Sequence, residues 1–445
     1  MRLMVLEKNI KNCIWKKLNS EVLISFGIVV ILYYPLFNGA IFAAFEKFVL
    51  PGKKQVDLAL LVLQLIVLLI SLWTGVQRKP TLSVSLYLGI AALYVCTILI
   101  YPQNQPILLG TYKKMFFFCI PILILTCALR DKDILMRQLS AGAYVILLCG
   151  FIYAIWGKIE GYSMWLGYQM LLPSMMLTLR FFKGNQRWRD GILLFVAIYF
   201  MLTKGSRGPL LILGLYIIIG FLFYYCGDNT QCLGRQDRWL LLSGRRIFSI
   251  ERILAALFGM AILVILIVNI QSICAWLYDH LLERGIMVRT LRILGDGDLG
   301  LLYSSGRDSI AKYAMQAIIE RPIFGYGLGG DCVYIGENLY HVAPVDAGGM
   351  YTHNFLLEIW MHFGLIVGSG LLFLFFWKIF TKWRSLAYVS IIRDLFLIIM
   401  IYCCIYFMIS GTYLTDSILW LLLGLSISRE KSNSDLCEIQ KLKYR

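Results

Sequence analysis

Three short stretches hold residues whose types and spacing could do chemistry. The first is Lys204-Gly205-Ser206-Arg207-Gly208-Pro209. A serine able to cap, then an arginine, then a proline suited to a first helical turn describe a helix start with a guanidinium beside it. The second is Ser304-Ser305-Gly306-Arg307-Asp308, ahead of Ile310, Ala314, Ala317 and Ile318, whose spacing makes one apolar helical face. Ser305 is the expected N-cap, and Pro322 ends the helix because the residue before a proline avoids the α region. Free N–H groups at a helix start and a guanidinium fork both suit phosphate oxygens, so Arg207 and Arg307 could each hold an anion. The plainer readings are an interfacial basic turn for Arg207, and for Arg307 a snorkelling side chain or an ion pair with Asp308.

The third stretch is Thr352-His353-Asn354, which opens an apolar run. The positive end of a helix disfavours imidazolium, so His353 is expected to stay neutral. A lone histidine is more often a hydrogen-bonded structural residue, and that is the competing reading. Glu358 and His362 lie four residues apart in the same run, and a mutual hydrogen bond would satisfy both. His280, His341, His353 and His362 have spacings that fit no metal motif, and Asp296-Gly297-Asp298 lacks further acidic partners. No outer segment is therefore expected to gather three metal ligands, and no metal or cofactor is implied. The glycine-rich Gly325–Gly330 stretch has no preceding strand and reads as a flexible turn, not a nucleotide loop.

The elements that must position these groups follow from composition. Of 445 residues, 59% are hydrophobic and only 15% charged, against roughly 45–50% and about 25% in a soluble protein. Apolar runs long enough to span occur near 22–43, 57–75, 81–101, 111–129, 136–157 and 162–181. Others lie near 189–204, 208–226, 252–276, 354–377, 393–411 and 413–428. The expected fold is an all-α polytopic membrane protein of about twelve transmembrane helices. A transmembrane β-barrel, whose strands alternate, is excluded. The expected layout is a cytoplasmic lead-in (1–21), spans one to nine (22–276), one large extracytoplasmic loop (277–351), spans ten to twelve (352–428) and a cytoplasmic tail (429–445). With the amino terminus inside, 28 of the 42 Lys and Arg are cytoplasmic, eight lie in short outer turns and six in the loop. The net charge of +16 is thus an orientation signal and no argument for nucleic acid. The twelve cysteines include no CxxC pair, so neither a disulfide framework nor a zinc site is expected.

Taken in order, the SRG turn, then SGR-D with its helix ending in E-R-P-I-F-G-Y-G-L-G, then H-N-F-L-L-E ahead of F-G-L-I-V-G, resemble the O-antigen polymerase and ligase superfamily. The likeness covers about 195–375 by motif. It implies a metal-independent GT-C-type glycosyltransferase at the outer face of the inner membrane, using glycans on undecaprenyl diphosphate. It implies His353 as catalytic base, Arg207 and Arg307 as diphosphate contacts, and Ser206 and Asn354 in support. In ligases the histidine is followed by a small polar residue, nine residues, glycine, two more, and Gly, Thr or Tyr. Asn354 and Gly364 fit that pattern, but Val367 holds the last place, which tilts the expectation toward a polymerase of surface polysaccharide such as O-antigen or capsule. A ligase acting on lipid A core or protein is the alternative. A lipid-linked oligosaccharide flippase is the rival from another class, although a flippase would set its charges in a cavity between two halves. The implied partners are the lipid-linked donor, a glycan acceptor and the bilayer, with a chain-length regulator or flippase as an associate.

Overall fold

The computed structural model describes residues 2–48, 53–157, 163–183, 187–204, 207–225, 272–283, 292, 295, 306–386 and 390–428. Its named helices are α1 (Arg2–Lys47), α2 (Lys53–Arg78), α3 (Pro80–Ile100), α4 (Gln105–Lys114), α5 (Ile120–Ala128), α6 (Lys132–Trp156) and α7 (Met164–Lys183). They continue with α8 (Arg187–Thr203), α9 (Arg207–Tyr225), α10 (Arg307–Glu320), α11 (Gly330–Ile335), α12 (Phe355–Ser385), α13 (Ser390–Ile409) and α14 (Ser417–Ile427). No strand occurs among the described residues. Among the described residues seven helical runs are long and apolar enough to cross a bilayer, and the chain is an all-α polytopic membrane protein. Two further apolar helices, Arg207–Gly220 and Ser417–Ile427, are shorter. Most of the expected ninth span lies outside the described residues.

The helices form two compact units. One comprises 1–38, 49–142 and 306–445, and its core is α5, every residue of which is buried. Pro121 lacks an N–H for the helix ladder, and a π turn over Met115–Cys119 precedes it. Small residues let the neighbours close on α5. A Cβ at Gly424 would stand 2.7 Å from Thr126, so α14 lies against α5 with only hydrogen between them. Arg78 seals one end, donating to Glu21 Oε1 at 2.7 Å while the Arg130 and Asp131 amides donate to Oε2. On α2, exposed Leu58, Leu61, Leu65, Leu69 and Trp73 recur at helical spacing, the face a span presents to lipid. The other unit comprises 39–48 and 143–305 and is built on α7, which packs on α8 and α9. There buried Asp190 takes the Tyr144 hydroxyl and faces Arg180 Nε at 3.6 Å.

In the first unit, α10 buries Ile310, Ala314, Ala317 and Ile318, the four positions read from the sequence, the last three of them clustered with Tyr334 of α11 and Met361 of α12. It begins at Arg307 and stops at Glu320, one residue before Arg321-Pro322. Its N-cap position is Gly306 at φ 80°, and Ser305, expected there, lies outside the described residues. Helix α12 breaks at Gly364, where φ is 77° and ψ 168°. The portion after the break, about 21 residues and ~32 Å, is long enough by itself to span. The portion before it packs on α10 and α11.

Candidate functional site

The N-terminus of α12 is held from several sides. Asn354 Oδ1 accepts from the Leu356 and Leu357 amides at 3.0 and 3.3 Å, a standard N-cap arrangement. Thr352 Oγ1 donates to Asn354 O, the Tyr351 hydroxyl donates to Ser410 O, and the Thr352 amide donates to Asp331 Oδ2 at 3.3 Å. Between these fixed neighbours sits His353 at φ 53°. A left-handed backbone is uncommon for a residue with a Cβ and persists where the surroundings over-determine it. The His353 ring lies 4.1 Å from the Tyr351 ring, centroid to centroid. Its Nδ1 is buried and has no hydrogen-bond partner among the described residues.

Burial pushes the His353 imidazole down to about 4, and the positive Arg307 adds to the shift while Asp331 opposes it. The ring is therefore neutral at physiological pH. Two expected residues, Arg307 at the start of α10 and His353 at the start of α12, belong to one electrostatic neighbourhood. Arg207 opens α9 in the other unit, half-buried, as expected for a first-turn residue. A Cβ at the neighbouring Gly208 would stand 2.3 Å from the Tyr168 hydroxyl, so glycine is required there. Ser206 lies outside the described residues, as do Asp296 and Asp298.

Two expectations are corrected. Glu358 and His362 do not bond each other. Glu358 Oε1 takes the Thr412 hydroxyl, and Oε2 has no hydrogen-bond partner among the described residues. His362 Nε2 lies 2.7 Å from Asp331 Oδ1 and its Nδ1 lies 2.6 Å from the Tyr413 hydroxyl. The reason is tertiary: α11 and the segment before α14 bring partners to these side chains that sequence spacing does not contain. Burial pushes the Asp331 carboxyl up, but His362 and the Thr352 and Cys332 amides outweigh it and hold it below the usual carboxylate range. An ionised Asp331 only accepts, so the 2.7 Å contact requires a hydrogen on His362 Nε2. The Gly329 amide also approaches Nε2, at 3.1 Å, and competes with Asp331 for it.

The same convergence brings together three metal-binding groups, one from α11 and two from α12. Asp331, Glu358 and His362 each offer a ligand atom within 4.8 Å of the others. They are the residues that could hold a cation, but both His362 nitrogens already have partners at hydrogen-bonding distance.

The second correction concerns Gly325–Gly330, which is pinned and not a loose turn. The Tyr326 and Gly327 amides donate to Met361 O and His362 O at 2.7 and 3.0 Å. Asn104 Nδ2 donates to Tyr326 O and Leu328 O, and the Tyr101 hydroxyl to Gly325 O. Asn104 and Asp331 are the supporting residues that sequence reasoning missed. A buried Asp immediately after a glycine-rich turn was the available signal.

No curated protein and no solved structure shows a significant match to the chain. Residues 192–373 match the family model described as O-antigen ligase, and this stretch holds Arg207, Arg307, His353 and the Gly364 break. That match supports the likeness of this stretch to the O-antigen polymerase and ligase superfamily of membrane glycosyltransferase-like enzymes.

Proposed function

We propose that the protein joins undecaprenyl-diphosphate-linked repeat units into a surface polysaccharide at the outer face of the inner membrane, with both termini cytoplasmic. The observation that carries this reading is the neutral His353, its buried Nδ1 without a partner among the described residues, beside the positive Arg307. A base needs an unprotonated nitrogen with nothing else bonded to it, and a departing diphosphate needs a cation close by. In the transfer, an acceptor hydroxyl oxygen bonds to the anomeric carbon of the donor. The bond from that carbon to the diphosphate oxygen breaks, and the electron pair leaves with the lipid diphosphate. The hydroxyl proton passes to His353 Nδ1. Arg307 and Arg207 offset the charge that develops on the diphosphate, and Asn354 keeps the helix start behind His353 in place. No step in this scheme calls for a metal.

A second reading is transfer of a finished glycan to lipid A core or protein. The description of the matching family as O-antigen ligase favours it. Val367 in place of Gly, Thr or Tyr favours the polymerase.

A deletion strain separates the two by its lipid-linked glycans. Loss of the polymerase leaves single repeat units, and loss of the ligase leaves long chains on the lipid. Units trapped on the cytoplasmic leaflet would mean a flippase and overturn both readings. In a purified assay His353→Ala should lower turnover steeply with substrate binding nearly intact. Retained turnover with a higher acceptor requirement would make His353 a binding residue only.

A further inference from the structure

Helix α10 carries a second apolar surface that its packing does not use. Ile310, Ala314, Ala317 and Ile318 face the protein, yet Met315 and Ile319, four residues apart, point away, and Ile319 is 73% exposed. The turn that follows extends this surface, with Ile323 51% and Phe324 75% exposed. An aromatic ring three-quarters uncovered at the end of an amphipathic helix calls for a partner.

The charged residues of the same turn are drawn the other way. Glu320 accepts from the Tyr326 hydroxyl at 2.6 Å, the Tyr334 hydroxyl at 3.0 Å and Gln316 at 3.1 Å. The Arg321 guanidinium lies over the Tyr326 ring at 4.5 Å and the Tyr101 ring at 5.6 Å. Six consecutive residues thus sort themselves, with charges held against aromatic groups and apolar side chains left bare.

What covers the bare side follows from where the turn is fixed. The Ile366 amide donates to Pro322 O at 3.2 Å, and a Cβ at Gly364 would stand 2.4 Å from the Ile323 carbonyl carbon. The turn is therefore seated on the break in α12, where the membrane-spanning portion begins. Leu365, Ile366 and Val367, the first residues of that portion, are themselves exposed. A span's exposed apolar face meets hydrocarbon, and Ile323 and Phe324 continue that face without interruption.

We propose that Ile319, Ile323 and Phe324 enter the acyl-chain region of the adjoining leaflet, with phospholipid tails as their partner. The turn is a lipid wedge that fixes the depth of the C-terminal end of α10. Glu320 and Arg321 stay at the headgroup level on their tyrosines, as charged and aromatic side chains do at a bilayer interface. Through the rigid helix the wedge also sets the height of Arg307, at the other end of this 14-residue helix and ~20 Å away along the axis.

The test places 4-trifluoromethylphenylalanine at position 324 by stop-codon suppression, in the full chain reconstituted in phospholipid nanodiscs. The fluorine line is read against two relaxation agents, a lipid carrying a nitroxide on its acyl chain and a water-soluble gadolinium chelate. The same label at 308, exposed at the other end of the helix, is the comparison. The lipid-borne nitroxide should broaden the 324 line at least several-fold more than the chelate does, with the order reversed at 308. A 324 line broadened mainly by the chelate would place Phe324 in water and overturn the proposal. A line broadened by neither would mean that a protein surface, a second copy or another partner, covers the wedge, which also overturns it. If the 324 variant does not fold, the label at 323 gives the same discrimination.

Discussion

The acid limb of the rate profile follows from the surroundings of His353. A solvent-exposed histidine titrates near 6.5, whereas burial and Arg307 bring His353 down to about 4. At pH 5.5 a ring with its midpoint at about 4 is about 97% neutral, and one at about 6.5 is about 9% neutral. The enzyme should therefore run roughly tenfold faster at pH 5.5 than an unperturbed imidazole base would allow. The assay is kcat/KM of purified enzyme in nanodiscs of fixed lipid charge, with lipid-linked donor, between pH 3 and 8, because kcat/KM reports groups of the free enzyme. The rate should stay flat from pH 8 to about 5 and fall with an inflection near 4. Arg307→Gln removes the second-largest cause of the shift, so its inflection should move up toward 6.5 without reaching it, because burial remains. Stability carries the same sign. Above 6.5 the ring is neutral whether folded or unfolded, and as pH falls from 6.5 toward 4 only the unfolded chain binds the proton, so folding weakens across that window. A wild-type inflection near 6.5, or one that ignores Arg307→Gln, would refute the reasoning.

Arg207→Lys and Arg307→Lys keep the charge but lose the planar two-pronged hydrogen bonding, and each should lose on the order of 10²-fold in rate. Near-normal polymer from either variant would demote that arginine to an interfacial anchor. Enzyme stripped with EDTA should keep its rate, because both His362 nitrogens are engaged within the protein. Loss rescued by magnesium or manganese would instead place a cation among Asp331, Glu358 and His362. Arg307→Cys and His353→Cys, in a background without native cysteines, should react with an impermeant maleimide in intact spheroplasts, and labelling only after lysis would reverse the orientation. Gly364→Ala should lower the melting temperature by several degrees, since its Cβ would meet the Ile323 backbone at 2.4 Å and its φ of 77° disfavours a side chain.

What the sequence revealed and what it hid divide along one line. Local regularities were legible, because periodicity and caps are written in neighbouring residues. The face of α10 came out at Ile310, Ala314, Ala317 and Ile318, its end before Pro322, and a helix start behind His353. The two misreadings both turned on pairings across long separations. Glu358 and His362 stand one helical turn apart and could satisfy each other, but Thr412 and Asp331 compete for them from 54 and 31 residues away. Spacing cannot register such a competitor, and a buried acceptor goes to whichever donor packing delivers. The glycine run was misjudged for a related reason. Positive φ at Gly325, Gly327 and Gly329 looks like freedom in one dimension, yet each glycine lets the chain approach α12, Tyr101 or Ile107 closely enough to be locked. The feature that matters most for chemistry, an imidazole kept neutral by burial and by Arg307, needed both kinds of information. The helix start could be read from Thr352-His353-Asn354, but the burial of Nδ1 and the nearness of Arg307, 46 positions earlier, exist only once α10 packs on α12.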